Sequence, residues 1–247
     1  HYAPNNAILV VAGDVTPAEV ERLAAEHFGP LPASSAVRPR ARPQEPTPVA
    51  ARRLTMHDAR VSQPYLVRSY LAPVRRPGDQ REAAALAVLA HLLGGSGTTS
   101  VMGRELVMGG GIALGAGTDY ANTGVDPQSF TLYLVPKPEV GLEAAEAALD
   151  ALLARFVVDG PDVADLERLR GQLRAQDIYA LDSQEDRAGR IGASLASGLS
   201  LEDEEAWPDL LQAVTAADVQ AAAKAIFRPE ASVTGWLTGL PEQEEKP

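Results

Sequence analysis

The stretch LLGGSGTTSVMGRELVMGGGIALGAGTDY, Leu92 to Tyr120, holds nine of the chain's 21 glycines. It lies between a helical pattern at Glu82 to Leu93 and a strand pattern at Ser129 to Val135. Glycine at that density marks backbone that turns tightly or lets something approach closely. A phosphate loop requires G-x-x-x-x-G-K-[ST], and no lysine falls within the stretch. A dinucleotide turn requires G-x-G-x-x-G, and Gly95-x-Gly97 is followed by Ser100 where the third glycine belongs. Both nucleotide readings fail. What remains is a helix stop at Gly94–Gly95, a short helix over about Thr99 to Val107, and a flexible return to a strand through Gly109, Gly110 and Gly111.

Outward from this centre the pattern alternates strands and helices. Upstream, Ala7 to Ala12 (AILVVA) is a continuous apolar run bounded by Asn5–Asn6 and Gly13–Asp14, which predicts a central strand buried on both faces. Thr16-Pro17-Ala18-Glu19 reads as a capping box with proline at the first helical position, and Val20, Leu23, Ala24 and His27 share one stripe of the helix. Four prolines and five arginines between Ala33 and Arg53 predict a solvated interdomain linker. Leu54 to Asp58 and Gln63 to Ala72 predict two strands. In the second, Leu66, Arg68 and Tyr70 share one face, and Tyr65, Val67, Ser69 and Leu71 the other. Asp79 is the expected cap of the helix whose stripe is Leu86, Leu89, Ala90 and Leu93.

Downstream of the centre, Phe130, Leu132 and Leu134 alternate with Thr131, Tyr133 and Val135 until Pro136 and Pro138 end the strand. Helices follow on the stripes Leu142, Ala145, Leu149, Leu152, Leu153, Phe156 and Leu166, Leu169, Leu173. Ser183-x-x-Asp186 and Thr215-x-x-Asp218 open two more, Ala231 to Thr238 closes the sheet, and the acidic tail after Pro241 is expected to fray. The fold class is therefore α+β, with a mixed or antiparallel sheet packed against several helices.

Composition removes several functions. A net charge of -11 and a pI near 4.8 argue against nucleic acid, whose phosphates demand clustered Lys and Arg. The absence of cysteine excludes thiolate zinc sites, disulfides and a cysteine nucleophile. No apolar run approaches the roughly 20 residues of a membrane helix. The chain opens at His1 in mid-pattern, which predicts sequence upstream.

No catalytic constellation emerges. His1, His27, His57 and His91 stand too far apart for a ligand pair, and each reads as structural. Leu23-Ala-Ala-Glu26-His27 would be an inverted zinc motif if position 23 were histidine; it is leucine, on the expected buried stripe. No G-x-S-x-G elbow is present, and Gly95-Ser96-Gly97 lies in a helix-ending turn.

Three groups of residues carry a family resemblance. Tyr2 to Val15, with Glu26-His-Phe-Gly-Pro-Leu-Pro32 behind it, looks like the stretch joining the two domains of a pitrilysin or mitochondrial-processing-peptidase type zinc metallopeptidase, an inverzincin. Leu93 to Ser100 followed by Arg104-Glu-Leu-Val107 resembles that family's G-x-[ST]-S-R-L-Y-R-x-L segment. Ile178 to Ser183, Ala206-Trp-Pro208 and Val214 to Val219 resemble later segments of the short bacterial two-domain members.

The resemblance implies two similar α+β domains, with H-x-x-E-H and a distal glutamate holding zinc in the first. Residues 1–33 would be the last strand and helix of that first domain, 34–53 the linker, and 54–247 the second, non-zinc domain. No zinc or other cofactor is expected in this chain. The substrate-binding arginine and tyrosine that some members carry in the second domain fall at Val107 and Leu114, and the S-R-L-Y arginine and tyrosine at Val101 and Gly103. With that pair replaced, Ser100 and Arg104 are the remaining polar candidates for peptide contact, and a surface helix role is the plainer expectation for Arg104. The implied partners are the catalytic domain, a homologous partner subunit that supplies the missing pair, and a peptide substrate. The expected compartment is the bacterial periplasm rather than the cytoplasm. Two functions follow: the non-catalytic half of a zinc metalloendopeptidase, or a non-enzymatic assembly subunit related to processing peptidases.

Overall fold

The computed structural model describes residues 2–38, 41–43, 46, 48–109, 111–180 and 182–240. The acidic tail, His1, Arg40 and Gly110 lie outside the described residues.

Five strands form one open mixed sheet: β1 (Arg52–His57), β2 (Tyr65–Ala72), β3 (Ala113–Tyr120), β4 (Gln128–Pro136) and β5 (Ser232–Thr238), in the order β1-β5-β2-β4-β3. Only the β1–β5 pairing is parallel; β2 pairs antiparallel with both β5 and β4, and β4 with β3. Alternation along each strand sorts side chains onto two unlike faces. One face presents Leu66, Tyr70, Phe130, Leu132 and Leu134, all buried. Against it lie α2 (Arg81–Gly94), α3 (Leu142–Asp159) and α7 (Ala216–Ile226), with α4 (Val163–Ala180) and α6 (Leu201–Ala213) packed on α2 and α5 (Gln184–Ala196) on α6.

The expected stripes form the core. Every residue of the sets on α2, α3 and α4 is buried. Ser183 caps α5, and Thr215 with Asp218 makes a complete capping box for α7. A further capping box, Ser200 with Asp203, opens α6.

Four expectations need correction. Ala7 to Ala12 is neither helix nor strand, and Ile8, Leu9 and Val11 are 52%, 57% and 47% exposed. A strand buried on both faces needs neighbours, and among the described residues no strand pairs with this segment. The helix after it, α1 (Pro17–His27), forms under its Thr16 cap but buries no residue, so Leu23 is 37% exposed instead of buried. Asp79 does not cap α2: Gln80 holds that position, and its amide reaches across to the Asp203 carbonyl at 2.9 Å. The short helix expected over Thr99 to Val107 begins as a turn and widens into a π-helix at Gly103–Val107, closed by the Met108 N–H on the Gly103 carbonyl at 2.9 Å.

Candidate functional site

The glycine-rich stretch is built around its own backbone. A Cβ on Gly94 would lie 2.4 Å from the Thr118 nitrogen and 2.6 Å from the Gly117 carbonyl carbon, so the end of α2 rests directly on β3. A Cβ on Gly103 would lie 2.5 Å from the Gly97 oxygen, and one on Gly111 2.2 Å from the Leu106 oxygen. Thr118 Oγ1 donates to the Ala90 carbonyl at 2.5 Å, tying the same two elements. The close approach that Gly94, Gly103 and Gly111 permit is thus helix against strand and turn against turn.

Ser100 and Arg104 are neighbours in this turn with separate engagements. Ser100 is buried; its hydroxyl donates to the Ser96 carbonyl and accepts the Gly103 N–H at 3.1 Å. Arg104 is half-exposed and holds Asp165, in the first turn of α4, with both terminal nitrogens at 3.1 and 2.5 Å. Arg168 also donates to Asp165, at 2.8 Å. Burial alone raises the Asp165 carboxyl, but the Arg104 and Arg168 guanidiniums outweigh it and hold the group below its ordinary value. Val101 and Val107 are half-buried against the core, while Leu114 on β3 is 54% exposed. The two positions that the resemblance aligns with the substrate-binding pair, Val107 and Leu114, therefore carry side chains that cannot hydrogen-bond.

The second face of the sheet is uncovered. The cross-strand register puts Leu54 and Met56 of β1, Val233 and Leu237 of β5, Val67, Ser69 and Leu71 of β2, and Thr131, Tyr133 and Val135 of β4 on it. Leu54, Met56, Leu71 and Tyr133 are between 41% and 55% exposed, and Gly117, beneath the Tyr133 ring, is the buried residue of this face. Ser69 and Thr131 join their hydroxyls at 3.2 Å across the two central strands. β3 and β1 end the sheet, so the outer main-chain groups of Ala113–Tyr120 have no strand partner among the described residues. Such an edge accepts an extended chain.

Two charge clusters went unnoticed in the sequence. Glu146 on α3 accepts from Arg53, from Arg68 at 2.6 Å and from Trp236 Nε1 at 2.9 Å, and Arg68 also holds Asp150 and Thr234. Arg75, stacked 4.4 Å above Trp207, donates to Gln80, Glu204 and the Asp203 carbonyl, which fastens α6 to the loop before α2. The first cluster had a signal: Arg68 shares the buried face of β2 with Leu66 and Tyr70, and Glu146 falls among the buried residues of α3. A charge on an apolar stripe demands a partner.

The donor set does not fit zinc. Among the described residues no three His, Cys, Asp or Glu side chains converge on a metal position, and Glu26 of the tempting Glu26–His27 pair is engaged by Arg22 at 3.0 Å. What the geometry defines is an open five-stranded sheet backed by helices on one side, with β1 and β3 unpaired on their outer edges among the described residues.

The chain belongs to the peptidase M16 family, as its inactive domain: the family model so described matches residues 1–173. It is 30% identical over 191 residues to the zinc protease PqqE of Helicobacter pylori, covering 76% of this chain and 42% of that protein. The solved structure of a protease from Helicobacter pylori superimposes with a TM-score of 0.84 at 24% identity, over 92% of this chain and 53% of that one. The peptidase M16 inactive domain from Pseudomonas fluorescens gives 0.73 at 22% identity, over 95% and 54%. The first half of the periplasmic protease PqqL from Escherichia coli gives 0.74 at 18%, over 92% and 50%. The chain thus spans about half the length, or less, of these relatives.

Proposed function

We propose that this chain is the non-catalytic half of a zinc metalloendopeptidase acting on peptides or unfolded protein segments, and that it closes the substrate chamber against a catalytic half or a homologous partner subunit that holds the zinc. The observation that carries the reading is the uncovered sheet face. A domain that covers one side of its sheet with helices and leaves hydroxyls and aliphatics on the other has a surface suited to loose, sequence-tolerant contact with an extended chain. Zinc belongs, in this reading, to the other half, as the family resemblance implies; among the described residues here no donor set fits it.

Residues 1–33 are proposed as the last strand and helix of that preceding half, 34–53 as the linker and 54–247 as the second domain. The support is that α1 buries no residue and that Ile8, Leu9 and Val11 of the strand-like run are about half-exposed, with Val10, against Gly192, partly buried. The β3 edge is the proposed docking strand for substrate main chain. A peptide contact from Arg104 would require it to leave Asp165, whereas Ser100 has both its hydrogen-bonding roles filled inside the turn.

Hydrogen exchange on the complete enzyme tests the assignment. Adding an unstructured peptide with zinc withheld should slow the amides of 111–120 and leave those of α3 unchanged. Unaltered exchange in 111–120 at saturating peptide would defeat it.

A further inference from the structure

From the geometry around Glu146 we infer that β1 is a detachable edge strand, and that Arg53 is the latch that fastens it and the linker to the domain. β1 follows directly on the Pro/Arg-rich segment, and all six of its residues are exposed. Among the described residues its backbone pairs on one side only, with β5. Arg53 is the side chain by which it reaches the helical layer: its two terminal nitrogens grip the two oxygens of Glu146 at 2.5 and 2.6 Å, and its guanidinium stacks 4.8 Å from the centre of the Trp236 ring. A planar fork matched to a carboxylate and an aromatic face is the strongest arrangement such a surface cation can make.

The latch is built to open without breaking the core. Removing one member of a buried ion pair is costly when it leaves a charge uncompensated. Here it does not. With Arg53 gone, Glu146 keeps the buried Arg68 at 2.6 Å and the Trp236 N–H at 2.9 Å, and Arg68 keeps Asp150 and Thr234. Arg53 itself returns to water easily, since its side chain is already 52% exposed, against 7% for Glu146. A cleft of ≈ 680 Å³ lined by Arg53, Arg68, Tyr70, Glu146 and Asp150 gives the guanidinium room to leave. Few buried contacts and one-sided pairing place β1 among the segments that open first.

The test is residue-resolved hydrogen exchange on the 247-residue chain and its Arg53→Ala variant. Exchange of the 52–57 amides should quicken about fivefold, the upper end expected of one half-exposed charge-assisted pair, while β2 and β4 change by less than about twofold. Arg53→Lys, which keeps the charge but not the fork or the stack, should fall between. Unchanged exchange in 52–57 overturns the inference. So does a uniform acceleration of all five strands, which would make Arg53 a general prop of the fold. Glu146→Ala serves as the contrast: it takes from the buried Arg68 one of its two carboxylates, leaving Asp150, and should quicken exchange in β2 as well as in 52–57.

Discussion

Replacing Gly94 with alanine tests whether the glycines serve contact between backbones. The new Cβ would stand 2.4 Å from the Thr118 nitrogen, 2.6 Å from the Gly117 carbonyl carbon and 2.7 Å from its Cα. None of these is the end of a flexible side chain, so α2 and β3 must separate. Overpacking costs about 1–3 kcal/mol, and an obstruction made wholly of backbone belongs at the top of that range. Alanine recovers part of this through its better helix propensity, at most about 1 kcal/mol at a last helical residue. The net loss is about 2 kcal/mol, which for a chain of this size lowers Tm by about 4–8 °C. Gly97→Ala is the control, because nothing lies within 4 Å of a Cβ there, and its change should stay within about 0.5 kcal/mol. Thermal unfolding of both variants beside the parent decides the matter. A Gly94→Ala protein melting within about 1 °C of the parent would refute the reasoning, since it would put the overpacking penalty at no more than the roughly 1 kcal/mol that helix propensity returns and not at the top of its range.

Other expectations follow from the same geometry. Asp165 is held below its ordinary value in the folded chain, so its contribution to stability is present above the unfolded value of about 3.9 and is lost as pH falls through the lower folded value. Asp165→Asn should therefore flatten the acid limb of the stability curve below about pH 4, and an unchanged limb in acid titrations followed by circular dichroism would contradict this. Arg104→Ala should cost about 0.5–1 kcal/mol through the half-exposed Asp165 pair, read by urea denaturation, and leave peptide hydrolysis by the complete enzyme nearly unchanged; a large rise in KM at full stability would instead make Arg104 a substrate contact. Deleting residues 1–33, which bury nothing in α1 and expose Ile8, Leu9 and Val11, should leave the melting of the sheet unaltered and reduce self-association in light scattering. A marked fall in Tm would show that this segment packs on the second domain.

How far the sequence could be read depended on whether a residue's partner lay in its own periodic pattern. The stripes on α2, α3 and α4, and the alternation of Leu66, Arg68 and Tyr70, were legible because a face buried by its neighbours shows in the spacing alone. The run Ala7 to Ala12 misled for the converse reason: its composition states that it should be covered but not by what, and nothing among the described residues pairs with it. Gln80 displaced Asp79 at the start of α2 because its amide is drawn to Asp203 across 123 positions of sequence, a contact no local pattern records. The π-helix at Gly103–Val107, with Gly103 set close against Gly97, also could not be read from the glycine count. Of the candidate site, the aligned positions Val107 and Leu114 were visible as departures from the family pattern. The uncovered face and the Arg53–Glu146–Trp236 cluster needed strand order and register.

The proposal that this chain is a non-catalytic half working with a zinc-bearing one is decided by zinc content and fluorogenic-peptide hydrolysis on three samples: this chain, a catalytic half carrying H-x-x-E-H, and the two together. Negligible zinc and no turnover are expected of this chain after dialysis, weak or absent turnover of the catalytic half alone, and turnover on mixing. Near-stoichiometric zinc or peptide cleavage by the chain itself would contradict it, and so would a complete pair with zinc bound that cleaves nothing, the result expected of an assembly subunit.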